Sequence, residues 1–173
     1  GQKGEYEYVH PIDHVNLSQS TNDVIPTAGK IAAIKLTKKL LVEMKKLANA
    51  YGTLQNKYKD VVVVSKTHLQ DSVLITFGQI FKAIKHSVER DMKNIENSIS
   101  ELLEINIGGT LVGTGVSADP KYSKNIVKYL AEYSGEPLVR SKDLVDNTRH
   151  ITCFSNLSNA LMGFALNVHK NAN

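Results

Sequence analysis

The sequence has no tryptophan, one cysteine (Cys153), four prolines and six histidines in 173 residues. One thiol cannot close an internal disulfide, and His10, His14, His86, His150 and His169 show no H-E-x-x-H or comparable ligand spacing, so no zinc centre is read. Cys153 itself falls on an apolar helical side and reads as a buried thiol rather than a nucleophile. No apolar run reaches the roughly 18 residues of a membrane span, and no charged-then-apolar stretch resembles a secretory signal. Charge of one sign is not collected anywhere: the net charge is +4, with lysines and acids interleaved. The densest basic positions, 35–39 and Lys45-Lys46, lie on one side of an amphipathic pattern, which is a solvated helix face and not a nucleic-acid footprint. A phosphate loop is missing too. Gly109…Gly113-Thr114-Gly115 lacks the lysine of G-x-x-x-x-G-K-[ST] and fits no G-x-G-x-x-G between strand and helix. What remains is a soluble chain expected in the cytoplasm, whose small positive surplus would suit an anionic substrate.

Helical periodicity fills most of the chain. One segment is expected from about Val24 to Tyr51, with Ala33, Leu36, Leu40, Met44 and Leu47 as its apolar face and Gly52 as its stop. A second, of about thirty residues, carries a stripe from Val73 through Phe77, Ile84, Val88, Ile95 and Ile99 to Leu102. Helices that long usually pack along partners in a bundle or an oligomer core. A third opens with Asp119 as N-cap and Pro120 at the first helical position, and ends at Gly135. A fourth starts near Asn147 and runs to the end with Ile151, Phe154, Leu161 and Val168 in register. The one β-type run is 61–64, four valines. The fold class is therefore all-α: a long-helix bundle with short irregular binding loops.

Three segments carry chemistry. Ser18-Gln19-Ser20-Thr21-Asn22-Asp23 precedes the first long helix. One cap needs one such residue, so the surplus leaves open both a helix cap and an anion site at a helix start. Lys66-Thr67-His68-Leu69-Gln70-Asp71 follows the valine run, where a histidine is either a hydrogen-bonded structural residue or a group that binds a carboxylate. In the stretch 106–115 the glycines permit tight turns and close backbone approach beside a ligand.

In this order and spacing the segments resemble the aspartase/fumarase superfamily. Residues 9–23 are similar to V-H-P-N-D-H-V-N-x-S-Q-S-[ST]-N-D, Thr67-His68-Leu69-Gln70-Asp71-Ser72 to T-H-L-Q-D-A, and 106–115 to N-x-G-G-T-x-x-G-T-G. Thr21, the stretch from Ala118 to Tyr122 and Leu144-Val145-Asp146 look closer to the aspartases than to the fumarases. The resemblance implies a part of the central helical domain, with 1–23 as a substrate-binding loop segment and 24–173 as bundle. It implies reversible anti-elimination of ammonia from L-aspartate to give fumarate, without metal or cofactor. In that chemistry a base takes a proton beside a carboxylate, and preorganised donors stabilise the resulting aci-carboxylate before ammonia leaves. Carried over position by position, Ser20, Thr21 and Asn22 would bind the substrate, and Thr67 and His68 would hold the carboxylate where charge grows, His68 counted as catalytic. Such enzymes are homotetramers with active sites built by several subunits. Ile12, Ser65-Lys66 and Ser72 depart from the pattern in place of Asn, Gly-Arg and Ala. The family's base-bearing G-S-S-x-M-P-x-K-x-N-P is not among these residues; Ser158-Asn159-Ala160-Leu161-Met162 lacks its second half. A fumarase segment and a non-catalytic helical assembly stand as alternatives.

Overall fold

The structure, a computed structural model, describes residues 2–172. These sort into two compact units. One takes the chain up to 34 together with 100–154, the other 35–99 together with 155 onward.

In the first unit, α1 (Thr21–Lys57) contributes its opening turns. Ser20 is its N-cap, with Oγ accepting from Asn22 N at 3.1 Å while Ser20 N donates to Asp23 Oδ1 at 2.9 Å. This reciprocal cap starts the helix three residues before the expected Val24. β3 (Glu104–Ile105) pairs in parallel with β4 (Val139–Arg140). Between them runs α3 (Pro120–Ser134), bounded as expected: Asp119 Oδ1 accepts from Lys121 N and Tyr122 N at 2.7 and 3.1 Å, and Gly135 ends it in the left-handed conformation at φ +72°. Ile34, Leu102, Ile105, Ile107 and Leu138 form the apolar core of this unit.

The expected fourth helix is two helices. α4 (Leu144–Arg149) starts on Asp143, whose Oδ1 caps Val145 N and Asp146 N, and α5 (Thr152–Ala172) follows. His150 is extended at φ −117°, so the backbone leaves the helix there and Ile151, expected on the apolar stripe, is exposed.

The second unit holds the rest of α1, α2, most of α5, and a hairpin. Gly52 does not stop α1, which continues to Lys57; a mid-helix glycine costs only about 1 kcal/mol relative to alanine. Leu36, expected on the buried face, is exposed; Met44, expected there too, is buried, together with Thr37 and Ala48. The valine run becomes β1 (Val62–Thr67), paired antiparallel with β2 (Gln70–Thr76). Val73 therefore belongs to a strand and not to α2 (Phe77–Leu102). The boundary is a capping box: Gln79 N donates to Thr76 Oγ1 at 3.1 Å and Thr76 N to Gln79 Oε1 at 2.9 Å. Val88, Ile95 and Ile99 of α2 and Leu157 of α5 are buried in this unit.

Candidate functional site

The start of α1 is fixed by a carboxylate. Asp23 is fully buried and accepts three backbone N–H bonds, from Ser20 to Oδ1 at 2.9 Å and from Gly108 and Thr110 to Oδ2 at 3.0 Å each. A buried charge is tolerated only when so compensated. The glycine-rich stretch thus serves to bring two N–H groups onto one oxygen. Thr110 sits at φ +58°, unusual for a β-branched residue, and is held there by the Asp23 bond and by its own Oγ1 donating to Val116 O at 3.0 Å. Gly113, at φ +89°, lies so close to α4 that a Cβ would come within 2.5 Å of Leu144 O.

A second polar hub follows from Pro26. Lacking an N–H, this proline cannot bond the Asn22 carbonyl four residues back. The fully buried Asn106 side chain replaces it, donating from Nδ2 to Asn22 O at 3.1 Å and to Thr148 Oγ1 at 3.0 Å. Thr148 Oγ1 in turn donates to Leu144 O at 2.6 Å. One turn further along α1, the buried Lys30 ammonium donates to Glu104 O at 2.7 Å and Asn147 Oδ1 at 2.6 Å. Burial lowers its pKa, opposed by neighbouring Cys153 and Glu104. Glu104 is shifted the other way. Its carboxyl is held below the usual range, chiefly by the Ser141 hydroxyl bond at 2.6 Å and also by Lys142 N at 3.1 Å. Burial, then the Asp23 charge, push Tyr122 up to about 12.

The residues singled out from the sequence fall in two places. Ser20, Thr21 and Asn22 stand together at the start of α1. Ser20 is buried and its oxygen is used by the cap, whereas Thr21 and Asn22 are exposed. Asn22 Nδ2 donates to Leu111 O at 2.7 Å, and the Thr21 hydroxyl makes no hydrogen bond among the described residues. Thr67 and His68 belong to the other unit, at the tip of the β1–β2 hairpin. His68 and Leu69 form its two-residue turn at φ +50° and +63°, a conformation that favours Asn-Gly and is strained for a leucine.

Beside Asn22 an open cleft of about 420 Å³ is lined by Leu111, Thr114, Val145, Thr148 and Arg149, within the size range of small-molecule sites. The second unit has a smaller groove along Leu47, Tyr51, Ile84, Val88 and Phe164, but there Asp91 and Asn167 satisfy each other at 2.8 Å. Among the described residues no three or more His, Cys, Asp or Glu are arranged to hold a metal ion.

Lys30, Thr148 and Arg149 were not singled out by sequence reasoning, and Asp23 and Asn106 were read only as members of their segments, without the roles they take here. A signal existed. Asp23, Thr27 and Lys30 recur at gaps of four and three, as one face of a helix does, and all three are buried. An apolar-stripe search passes over a polar one.

Residues 2–173 match the model of the Lyase family. The chain is 44% identical over 172 residues to the aspartate ammonia-lyase of Bacillus subtilis (strain 168), covering 99% of this chain and 36% of that protein. It is 37% identical to that of Escherichia coli (strain K12), again over 99% of this chain and 36% of the relative. Among solved structures, a fumarate lyase:delta crystallin from Brucella melitensis bound to cobalt superposes with a TM-score of 0.93 at 33% identity, covering 98% of this chain and 37% of that one. A class II fumarase from Schistosoma mansoni shares the fold, with a TM-score of 0.86 at 23% identity over 92% of this chain and 37% of that one. The chain thus spans just over a third of the length of the relatives it matches. With its three signature segments in order and the family model matched along its length, the chain belongs to the Lyase family, within the aspartase/fumarase superfamily.

Proposed function

We propose that the complete protein is an aspartate ammonia-lyase that interconverts L-aspartate with fumarate and ammonia, and that this chain is a portion of its central helical domain. The observation that carries the reading is the Asp23 clamp, which presents Thr21 and Asn22 at a helix start beside an open cleft. Backbone donors and helix dipole favour an anion at such a place. Support comes from relatives at 37–44% identity that are aspartate ammonia-lyases. In this reading Ser20, Thr21 and Asn22 bind the substrate, while Thr67 and His68 hold the carboxylate on which charge accumulates after proton removal. The strained His68-Leu69 turn fits a residue held ready for a ligand. The acting base comes from outside these residues.

The protein is a cytoplasmic homotetramer in this reading. No helix among the described residues is long and apolar enough to cross a membrane, and the hairpin leaves Val62, Val64, Leu69, Val73 and Leu74 exposed, as surface awaiting a covering subunit would be.

The test is turnover by the complete protein. Fumarate is expected from L-aspartate, and Thr21→Ala or His68→Ala is expected to lower kcat/KM more than tenfold, about 1.4 kcal/mol of transition-state stabilisation. Preference for malate over aspartate would reassign the enzyme as a fumarase. Unchanged kinetics in both variants would remove the assigned roles.

A further inference from the structure

The cleft beside Asn22 contains a cation that belongs to none of the three signature segments. Arg149, the last residue of α4, lines it together with Asn22, Thr114 and Thr148. No protein group hydrogen-bonds or ion-pairs with its guanidinium among the described residues. Three acids of this unit are committed elsewhere. Asp23 is saturated by three N–H groups, Asp143 caps α4, and Asp146 pairs with His150 at 2.7 Å. Placement is firm as well. The hydroxyl of Thr148, the preceding residue, and the carbonyl of Asn22 both accept from the Asn106 amide, at 3.0 and 3.1 Å.

The polar groups of the lining are complementary to a carboxylate and an ammonium group. Asn22 spends its Nδ2 on Leu111 O, which leaves its Oδ1 as an acceptor for an ammonium group. The guanidinium of Arg149 offers a fork of donors matched to a carboxylate, and the Thr114 hydroxyl can add one more. A solvated arginine at a helix end would also favour the C-terminal dipole of α4. That alternative gives no reason for an unpaired guanidinium to line a cleft with Asn22.

We propose that Arg149 binds one carboxylate of the substrate and is a specificity-determining residue of this enzyme. The proposal rests on reading Ser20–Asn22 as the substrate-binding segment. It predicts loss of binding rather than loss of chemistry when the cation is removed.

The experiment uses the complete protein and its Arg149→Gln and Arg149→Lys variants, with circular dichroism confirming unchanged folding. Steady-state kinetics on L-aspartate are combined with calorimetric titration of succinate, a dicarboxylate that cannot react. Arg149→Gln is expected to raise both KM and the succinate Kd by threefold or more while kcat stays within threefold, and Arg149→Lys to recover part of the loss. A rise below threefold in the succinate Kd overturns the proposal, as does a fall in kcat with succinate binding intact. Should the wild type bind succinate without turning over aspartate, the lyase reading fails and the succinate comparison still decides the role of Arg149. Should it turn over aspartate without binding succinate at all, Arg149 loses its role and the lyase reading stands.

Discussion

Asp23 shows how one side chain can be structural and still determine a site. Its carboxylate takes three N–H groups, two of them from positions 85 and 87 residues away. Hydrogen bonds to a charged group contribute about 1.5–3 kcal/mol each, and a buried N–H left without a partner costs about as much again as a lost bond. Asp23→Ala is therefore expected to destabilise the chain by about 3 kcal/mol or more, read as a lower urea midpoint. A shift below 1 kcal/mol would show that the loop has another anchor. Glu104 gives the pH dependence. Its folded pKa lies below the unfolded value of about 4.3, so its contribution is present above that pH and is lost as pH falls through the depressed folded value. Glu104→Gln is expected to flatten the acid limb of the stability curve below about pH 4.3, because the ionised acceptor for Ser141 and Lys142 N is gone. Acid melting curves of the two proteins check this; identical limbs would show that Glu104 is not the group that titrates.

At the scale of elements, the hairpin is the place where local preference and observed conformation disagree. A two-residue turn with both φ positive selects Asn-Gly or Asp-Gly, yet His68 and Leu69 occupy it. Leu69 is 90% exposed, so packing does not compensate its strain. Leu69→Gly is expected to stabilise the hairpin by about 1 kcal/mol through relief of the left-handed conformation, offset in part by greater freedom of the unfolded chain. Hydrogen exchange of the β1–β2 amides measures it, and slower exchange is the expected result. The elements also show where sequence reading holds. Asp119-Pro120 and Gly135 bound α3 as expected because caps act within one turn. Thr76 and Gln79 form an equally local box that the apolar stripe from Val73 concealed, since Val73 continues the helical spacing while pairing as a strand. Gly52 failed as a stop because no change of backbone direction accompanies it.

Across the whole molecule, much aliphatic surface faces solvent. Val62, Val64, Val73 and Leu74 of the hairpin, with Leu36 and Val42 of α1 and Leu166 of α5, are all exposed. Single exposed aliphatics are ordinary, but several on one short hairpin are not. This chain on its own is expected to self-associate at micromolar concentration, and Val64→Lys with Val73→Lys is expected to shift it toward monomer without loss of helical signal. Light scattering after size-exclusion chromatography reads the outcome; a monomeric wild type would remove the hairpin as an association surface.

The sequence by itself determined the helical class, the valine strand, the ends of α3 and the family. Periodicity, capping and signature spacing are short-range, and each is satisfied within a few residues of where it is written. Only the tertiary structure decided that Asp23 would join the glycine-rich stretch, that Lys30 would be buried on Glu104 O and Asn147, and that Arg149 would share a cleft with Asn22. The physical reason is that a buried polar group must find partners to offset its desolvation, and which partners it finds depends on segments 74 to 117 residues away being brought alongside by the folding of the chain.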